Sequence, residues 1–503
     1  MTSIDDKPEE QLANPRGFVP VLAAICTVVA IVSSVGAPLI PTVADAYSVS
    51  FTSAQWTLTI TMLVGAVTVP ILGRLGDGPH RRPVIIGALS VVFIGCVLAA
   101  IPSNLALLLI GRGLQGVGLG LAPLAMAVAR DHLTPIEARR TVAALSVTAV
   151  AGIGLGYPLT GVIAHLWGYH ACFVVASVAS LAVLVGGITS VPSSRHVPHK
   201  PLDIVGAVLI GIGLTLLLIA LTSGSYWGWA SFQTIGCAAV GLSVLVGWTF
   251  HELRTRFPLV ELRLLSKPAV LTADVTGLFA GIGMFVLSSA VIRFVQTPSD
   301  TGYGLGRSAM VAGLVLVPFS LTSVFANRLL PLAERWISRS MIMPIGAMAF
   351  SGALTLFLFG RDELWVVFLL MGVAGLGIGF TFAAMPAFIV SAVPPHETGS
   401  ALGVNQVART VGGAVGSALS ATVLAVYTAP GQTFPDSAGY TATAIVGIGL
   451  WTGTAILAFA LSCRGSRAEK LPARLVDESI ESAAAGGFAY DIASRRGQSE
   501  DSR

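Results

Sequence analysis

Residues 104–161 read NLALLLIGRGLQGVGLGLAPLAMAVA (104–129), RDHLTPIEARR (130–140) and TVAALSVTAVAGIGLGYPLTG (141–161). The first and third pieces are apolar runs long enough to cross a bilayer as helices, joined by a charged loop. Glycines line one side of both runs, and Arg112 sits inside the first. The pattern returns later in the chain. Gly116, Gly118, Gly120, Met126 and Pro135 match Gly375, Gly377, Gly379, Met385 and Pro394, each 259 residues later, and Gly154 matches Gly413 at the same offset. A repeat of that length implies two related halves. Arg112 has no counterpart, because Met371 stands at its position, so one half carries an extra charge.

Composition agrees with a chain that crosses a membrane many times. Of 503 residues, 54% are hydrophobic and 11% charged, with a mean hydropathy of +0.82. A soluble domain carries roughly 25% charged residues. The five cysteines (Cys26, Cys96, Cys172, Cys237 and Cys463) lie within or beside apolar runs and form no CxxC. They read as small packing residues rather than disulfides or metal ligands. The first apolar run is too long for a signal-peptide core and lacks a small-residue cleavage site, so it reads as an uncleaved span.

About fourteen spans follow by length, grouped six, two and six. The first six lie near 18–43, 54–73, 83–101, 104–129, 139–164 and 168–191. After the basic linker PSSRHVPHKP come two more, near 203–222 and 232–251. HELRTRFPLVELRLLSKP is expected to lie along the inner membrane surface. The last six lie near 269–295, 307–330, 340–360, 363–391, 399–427 and 442–463. With the N-terminus inside, alternate loops collect Arg74, Arg81, Arg82, Arg130, Arg139, Arg140, Arg195, Lys200, Arg254, Arg256, Arg263, Lys267, Arg328, Arg335 and Arg339. The opposite loops hold Arg361 and, at a span edge, Arg307. The positive-inside bias therefore places both termini in the cytoplasm.

Four motifs carry the chemistry. Between spans 2 and 3 stands Gly73-Arg74-Leu75-Gly76-Asp77-Gly78-Pro79-His80-Arg81-Arg82-Pro83, a tight loop in which Asp77 faces several cations. Span 4 holds Arg112-Gly113-Leu114-Gln115-Gly116-Val117-Gly118, with Arg112 roughly 12 Å along the helix from Asn104. An arginine at that depth needs a wet cavity or a partner. Span 5 holds Gly152-Ile153-Gly154-Leu155-Gly156-Tyr157-Pro158-Leu159-Thr160-Gly161, where small residues let helices approach closely. A side chain at Gly156 is expected to push helices apart, whereas Gly36→Ala in span 1 is expected to be tolerated. The fourth is a pair of buried charges: Asp274, about 10 Å into span 9, and Arg409, near mid-depth in span 13. Asp45 and Asp203, at span ends, read as solvated.

These motifs resemble those of the major facilitator superfamily. The loop resembles its GxLxDxxGRR signature, with His80 in place of the second glycine. The span 4 element resembles RxxQGxG. The span 5 element resembles GxxxGPxxGG, which marks antiporting exporters in that family, with Tyr157 inserted and Thr160 replacing a glycine. PLDIVG at span 7, HELRTRFPLVELRLL between spans 8 and 9, and Arg293-Phe294-Val295-Gln296 at the end of span 9 resemble the fourteen-span drug:proton antiporter branch. That branch usually carries an aspartate in span 1, in LDxTIVNxALP; here the region reads IVSSVGAPLIPTV, with Val32 or a neighbouring serine at that position.

The resemblance implies an all-α membrane protein of the major facilitator fold. An N-terminal tail (1–17) precedes a six-helix bundle (18–191), a linker with two inserted helices (192–268), a second six-helix bundle (269–463) and a C-terminal tail (464–503). It implies an inner-gate loop built on Gly73, Asp77, Arg81 and Arg82. It implies an antiporter helix built on Gly152, Gly156, Pro158 and Gly161, and a proton-coupling or substrate cavity drawn from Arg112, Gln115, Tyr157, Asp274 and Arg409. With the span 1 acid missing, proton coupling is expected to fall to Asp274, alternately paired with Arg409.

The expected function is proton-driven efflux of small amphipathic compounds, drugs or antibiotics, by a monomer in a bacterial cell membrane. Its partners are the substrate, protons and membrane lipids, with no nucleic acid. The chain reads as no enzyme, with no cofactor and no metal; neither a Walker lysine motif nor HExxH occurs. Two other readings stay open: a lipid or metabolite exporter on the same scaffold, and a transport-inactive sensor or assembly partner. Proton-dependent flux in proteoliposomes separates a transporter from a sensor.

Overall fold

Helix boundaries follow from local chemistry. The computed structural model describes residues 15–49, 51–101, 104–193, 201–429 and 434–461. The linker around Arg195 and Lys200 and the polar tails lie outside the described residues. Helix α1 (Pro15–Ser34) gives way at once to α2 (Gly36–Ala46), so the first span is broken. Then come α3 (Phe51–Gly76), α4 (Arg81–Ala100) and α5 (Leu105–Gly116). The Asn104 side chain caps α5 by accepting from the Leu107 amide at 2.9 Å. A 3-10 turn at Val117–Gly120 leads into α6 (Leu121–His132). Helix α7 (Pro135–Trp167) starts on a capping box, with Thr134 and Glu137 bonded reciprocally and Pro135 at the first helical position, a start worth about 1 kcal/mol. The first half ends with α8 (Tyr169–Ser190).

The inserted pair is α9 (Ile204–Trp227) and α10 (Phe232–Arg254), followed by a short α11 (Leu262–Leu265). The second half holds α12 (Pro268–Gln296), α13 (Ala309–Leu314), α14 (Leu316–Trp336), α15 (Arg339–Gly360), α16 (Leu364–Ala392), α17 (Thr398–Val426) and α18 (Ser437–Leu461). Among the described residues thirteen helical segments are long and apolar enough to cross a membrane, and α7 is a further long helix between α6 and α8. The architecture is all-helical, with no strand among the described residues.

The repeat is a repeat of helix crossings. Gly116 lies against the Thr61 carbonyl of α3, and Gly375 lies against the Phe319 carbonyl of α14; neither site has room for a Cβ. Beside the first, the Thr61 hydroxyl donates to the Arg112 carbonyl at 2.9 Å; beside the second, Thr322 donates to the Gly372 carbonyl at 2.7 Å. Both bonds lie one turn before the glycine. Gly154 and Gly413 serve differently: Gly154 of α7 meets Ser320 of α14 across the two halves, whereas Gly413 of α17 meets Phe285 of its own half.

The halves touch along two related seams, α7 with α14 and α3 with α17. Helix α9 covers the second. Its Ala207, Ile210, Leu214 and Leu218 form one apolar cluster with Ala66 of α3 and Val404, Val407 and Val411 of α17.

The connection after α10 departs from the expected surface placement: Leu259 and Val260 are fully buried. The Val260 amide donates to the Glu252 carboxylate at 3.5 Å, and the Leu259 carbonyl accepts from the Ser400 hydroxyl at 3.3 Å. Pro258, Leu259 and Val260, buried side by side within a charged run, anchor the segment. Asp203 is not solvated either. It caps α9 through the Gly206 amide and pairs with His251 at 2.8 Å, its side chain only 8% exposed.

Candidate functional site

At one end of the bundle the two halves are latched. The Asp77 carboxylate accepts from the Gly399 amide at 2.7 Å and from the Ser400 amide at 2.8 Å, one oxygen for each. Those amides open α17, where helix N–H groups lack intrahelical partners and the dipole favours an anion. Gly73 allows the approach, since an added Cβ would stand 2.9 Å from the Gly399 carbonyl. Arg81 lies 3.9 Å from Asp77 and also pairs with Asp131. Burial pushes the Asp77 carboxyl up to about 8, while the Ser400 amide, Arg81 and the Gly399 amide pull it down. Arg82 also reaches away from the loop. It donates to the Ile188 carbonyl of α8 at 2.7 Å. His80, which replaces a glycine of the motif, adopts φ −103°, which any L residue can take, so the turn needs no glycine there.

The latch has two further parts that the motif does not announce. Arg74 pairs with Glu397 at 3.4 Å, both side chains under 9% exposed. Arg130 donates to the Val393 carbonyl at 2.7 Å, to the Pro394 carbonyl at 3.3 Å and to the Thr398 hydroxyl. It thereby caps the C-terminal end of α16, where unpaired carbonyls favour a cation. In sequence both arginines look like ordinary positive-inside charges, and their partners lie about 260 to 320 residues away.

Arg112 is completely buried. Its Nε donates to the Thr57 carbonyl at 2.9 Å, Nη1 to the Val32 carbonyl at 2.9 Å and to Gln115 Oε1 at 2.5 Å, and Nη2 to the Ser33 carbonyl at 3.1 Å. Gln115 in turn donates to the Gly95 carbonyl at 3.3 Å. Val32 and Ser33 lie where α1 gives way to α2, so the guanidinium ties the carbonyls beside that junction to α3 and α5. The span 1 position where an aspartate was expected thus offers Arg112 a backbone carbonyl instead of a carboxylate.

On α7, Gly152 and Gly156 pack against α1: added Cβ atoms would meet Ala30 and Ser34. Gly161 faces open space, with nothing within 4 Å. Tyr157 and Pro158 lie beside Gly313 of α13.

Midway along the halves lies a cavity of about 100 Å³. The first half lines it with Val29, Met62, Leu119 and Ala122, and the second with Met284, Phe285, Phe382, Gln406, Arg409 and Thr410. The Arg409 guanidinium lies 4.8 Å over the Phe382 ring and donates to Gln406, while its buried Nε has no hydrogen-bond partner. Asp274 accepts from the Asn405 carboxamide at 3.1 Å, and the same group donates to the Ala273 carbonyl at 3.0 Å. Among the described residues no ion pair joins Asp274 to Arg409. The register explains it. Asn405 lies level with Asp274, and Arg409 sits one turn further along α17, crossing Gly277 of α12. The structure therefore gathers Asp274, Asn405, Gln406 and Arg409 on one interface and leaves Arg112, Gln115 and Tyr157 outside the cavity lining. Asn405, Gln406 and Phe382 carry no motif that sequence reading could have found.

A second cavity, about 230 Å³, lies on the α7–α14 seam and is lined by Arg139, Arg140, Leu330, Glu334 and Ala383.

A family model described as Major Facilitator Superfamily matches residues 22–417. The chain is 26% identical over 416 residues to a multidrug resistance protein B homolog of Mycobacterium tuberculosis, covering 80% of this chain and 75% of the relative. It is 26% identical over 461 residues to the multidrug efflux pump LfrA of Mycolicibacterium smegmatis, covering 89% of each. It is 26% identical over 384 residues to multidrug resistance protein 3 of Bacillus subtilis, covering 74% of this chain and 73% of that one. Among solved structures, the human organic anion transporter MFSD10 superposes with a TM-score of 0.61 over 89% of this chain and 99% of that one. Its 15% identity makes this a likeness of fold.

Proposed function

From the premise that the chain belongs to the Major Facilitator Superfamily, we propose that it exports small amphipathic compounds across a bacterial cell membrane in exchange for protons. The relatives named for multidrug resistance or efflux support the export of drug-like compounds. The observation that carries the reading is the central cavity: apolar walls from both halves, one cationic head, and a buried carboxylate one turn away. Such a cavity accepts an amphipath. At about 100 Å³ it is smaller than the ~300–1,000 Å³ of a drug-sized pocket, so loading requires the halves to part.

The latch at Asp77, Arg74 and Arg130 holds one end shut in this state. Opening it breaks those bonds and exposes the cavity to the cytoplasm, while the other end closes around the α7–α14 seam. Asp274 is the proton carrier. Neutral, it shares the Asn405 carboxamide; ionised, it draws on Arg409, one turn further along α17. Gly152 and Gly156 keep α7 close to α1 so that the first half moves as a unit. Purified protein in proteoliposomes, given an inward proton gradient, should accumulate a drug-like compound against its gradient. Uptake that ignores the gradient would overturn the antiport reading.

A further inference from the structure

The cavity states which sign of charge it takes. Arg409 is the single charged side chain among its lining residues. One nitrogen of its guanidinium is bound to Gln406, its face lies on Phe382, and Nε is buried without an acceptor. No carboxylate neutralises it within 4 Å among the described residues. The other cation at this depth, Arg112, has its donors taken by carbonyls and Gln115. The first span, which lines the same cavity through Val29 and Ala30, has no acid between Arg16 and Asp45. The nearest acid on α12, Asp274, is absent from the lining and is bonded to Asn405. The cavity is therefore apolar with a single cation in its lining, which has an unfilled donor and, among the described residues, no carboxylate within 4 Å, and which Asp274 offsets from one turn away only when ionised.

Taking the proposed efflux function as its basis, we infer that the substrate is an amphipathic monoanion, its carboxylate or equivalent acid group seated on Arg409 and its apolar body against Met62, Leu119, Met284 and Phe285. Coulomb's law sets the size of the preference. With Asp274 protonated, at ~6 Å from the guanidinium and an effective dielectric of ~20, a unit charge gains or loses a factor of about 100 relative to a neutral isostere. A lipophilic cation is rejected by the same factor. The sign also fixes the electrical cost of transport. Export of a monoanion with entry of one proton moves about two charges per cycle in the direction the membrane potential favours, against about one for a neutral substrate and none for a monocation.

Three near-isosteric probes test this with the full-length protein: naphthylacetate, naphthylacetamide and naphthylethylammonium. Their affinities are read by competition in detergent at neutral pH, where the acid is ionised. Naphthylacetate should bind at least 10-fold more tightly than the amide, and the ammonium compound most weakly. Arg409→Gln should shrink the acid-to-amide ratio below about 3-fold, and Arg409→Lys should restore most of it, since charge rather than shape sets the order. An ammonium compound that binds more tightly than the acid, or a ratio unmoved in Arg409→Gln, overturns the inference. If the Gln variant does not fold, the wild-type order decides by itself. Gradient-free counterflow of labelled naphthylacetate in proteoliposomes keeps the two claims apart. Selective counterflow of the acid without response to a pH gradient retains the substrate class and removes proton coupling. Proton-driven flux confined to the ammonium compound removes the substrate class and retains the antiport.

Discussion

Asn405 of α17 donates to Asp274 of α12 at 3.1 Å, and no other side chain is hydrogen-bonded to that carboxylate among the described residues. A carboxamide satisfies a carboxyl in either protonation state, so the contact can persist while Asp274 loads and unloads a proton. Asp274→Asn should abolish efflux driven by a pH gradient while gradient-free substrate counterflow continues. A folded Asp274→Asn protein that still exchanges substrate for protons would show that the residue only holds α12 to α17.

The latch makes a prediction about pH. In the latched arrangement burial places the Asp77 carboxyl at about 8; exposed to water it returns to ~3.9. The latched state therefore binds the proton more tightly. Its advantage from this group is complete below about pH 4 and is lost as pH rises through about 8. Spin labels at Ile136 and His396, one on each half at the latched end, should report a longer mean distance at pH 9 than at pH 6. The difference should vanish in Asp77→Asn. That variant also turns a carboxamide N–H toward one of the two α17 amides, costing about 1–3 kcal/mol of latch stability, so transport should fall at unchanged protein level.

Gly36→Ala, which sequence alone marks as harmless, should not be. An added Cβ stands 2.7 Å from Arg112 Nη2, and that guanidinium is fixed by bonds to Thr57, Val32, Ser33 and Gln115. Overpacking of this kind costs typically 1–3 kcal/mol. Gly156→Leu should be worse, because Ser34 and the Ile31 carbonyl leave no room. Gly161→Ala, with open space around it, is the matched control. Thermal unfolding in detergent should rank the three: Gly161→Ala near wild type, Gly36→Ala lower, Gly156→Leu lowest or unrecoverable.

Arg112 should behave as a structural group. Arg112→Lys keeps the charge but supplies a point donor where a fork reaches the carbonyls of Thr57, Val32 and Ser33. Each buried carbonyl left unpaired costs roughly 1–3 kcal/mol. Folded yield should drop in Arg112→Lys and drop further in Arg112→Leu, and protein that survives should retain its pH-gradient dependence. Full yield with lost coupling would instead place Arg112 in the proton path.

What could be read in the sequence was what packing demands at fixed register. Gly116 and Gly375 stand out because a helix crossing tolerates nothing larger, and the same crossing was built twice. The Asp77 loop was legible for a similar reason, since a carboxylate among small residues and cations restricts the partners it can have. The polar pairings escaped. Arg74 with Glu397, Arg130 with the end of α16, and Asn405 with Asp274 each join residues more than a hundred positions apart. No local pattern records such a match; it exists only once the helices are in place. The burial of Pro258, Leu259 and Val260 escaped because three apolar residues cannot outweigh the charges around them in any reading by composition.

The placement of α9 breaks the twofold likeness of the halves. It packs over the α3–α17 seam, while among the described residues no inserted helix covers the related α7–α14 seam, which holds the cavity lined by Arg139, Arg140 and Leu330. The twofold likeness of the halves therefore stops at their seams: one is backed by an apolar helix, the other borders a cavity with two arginines and a carboxylate.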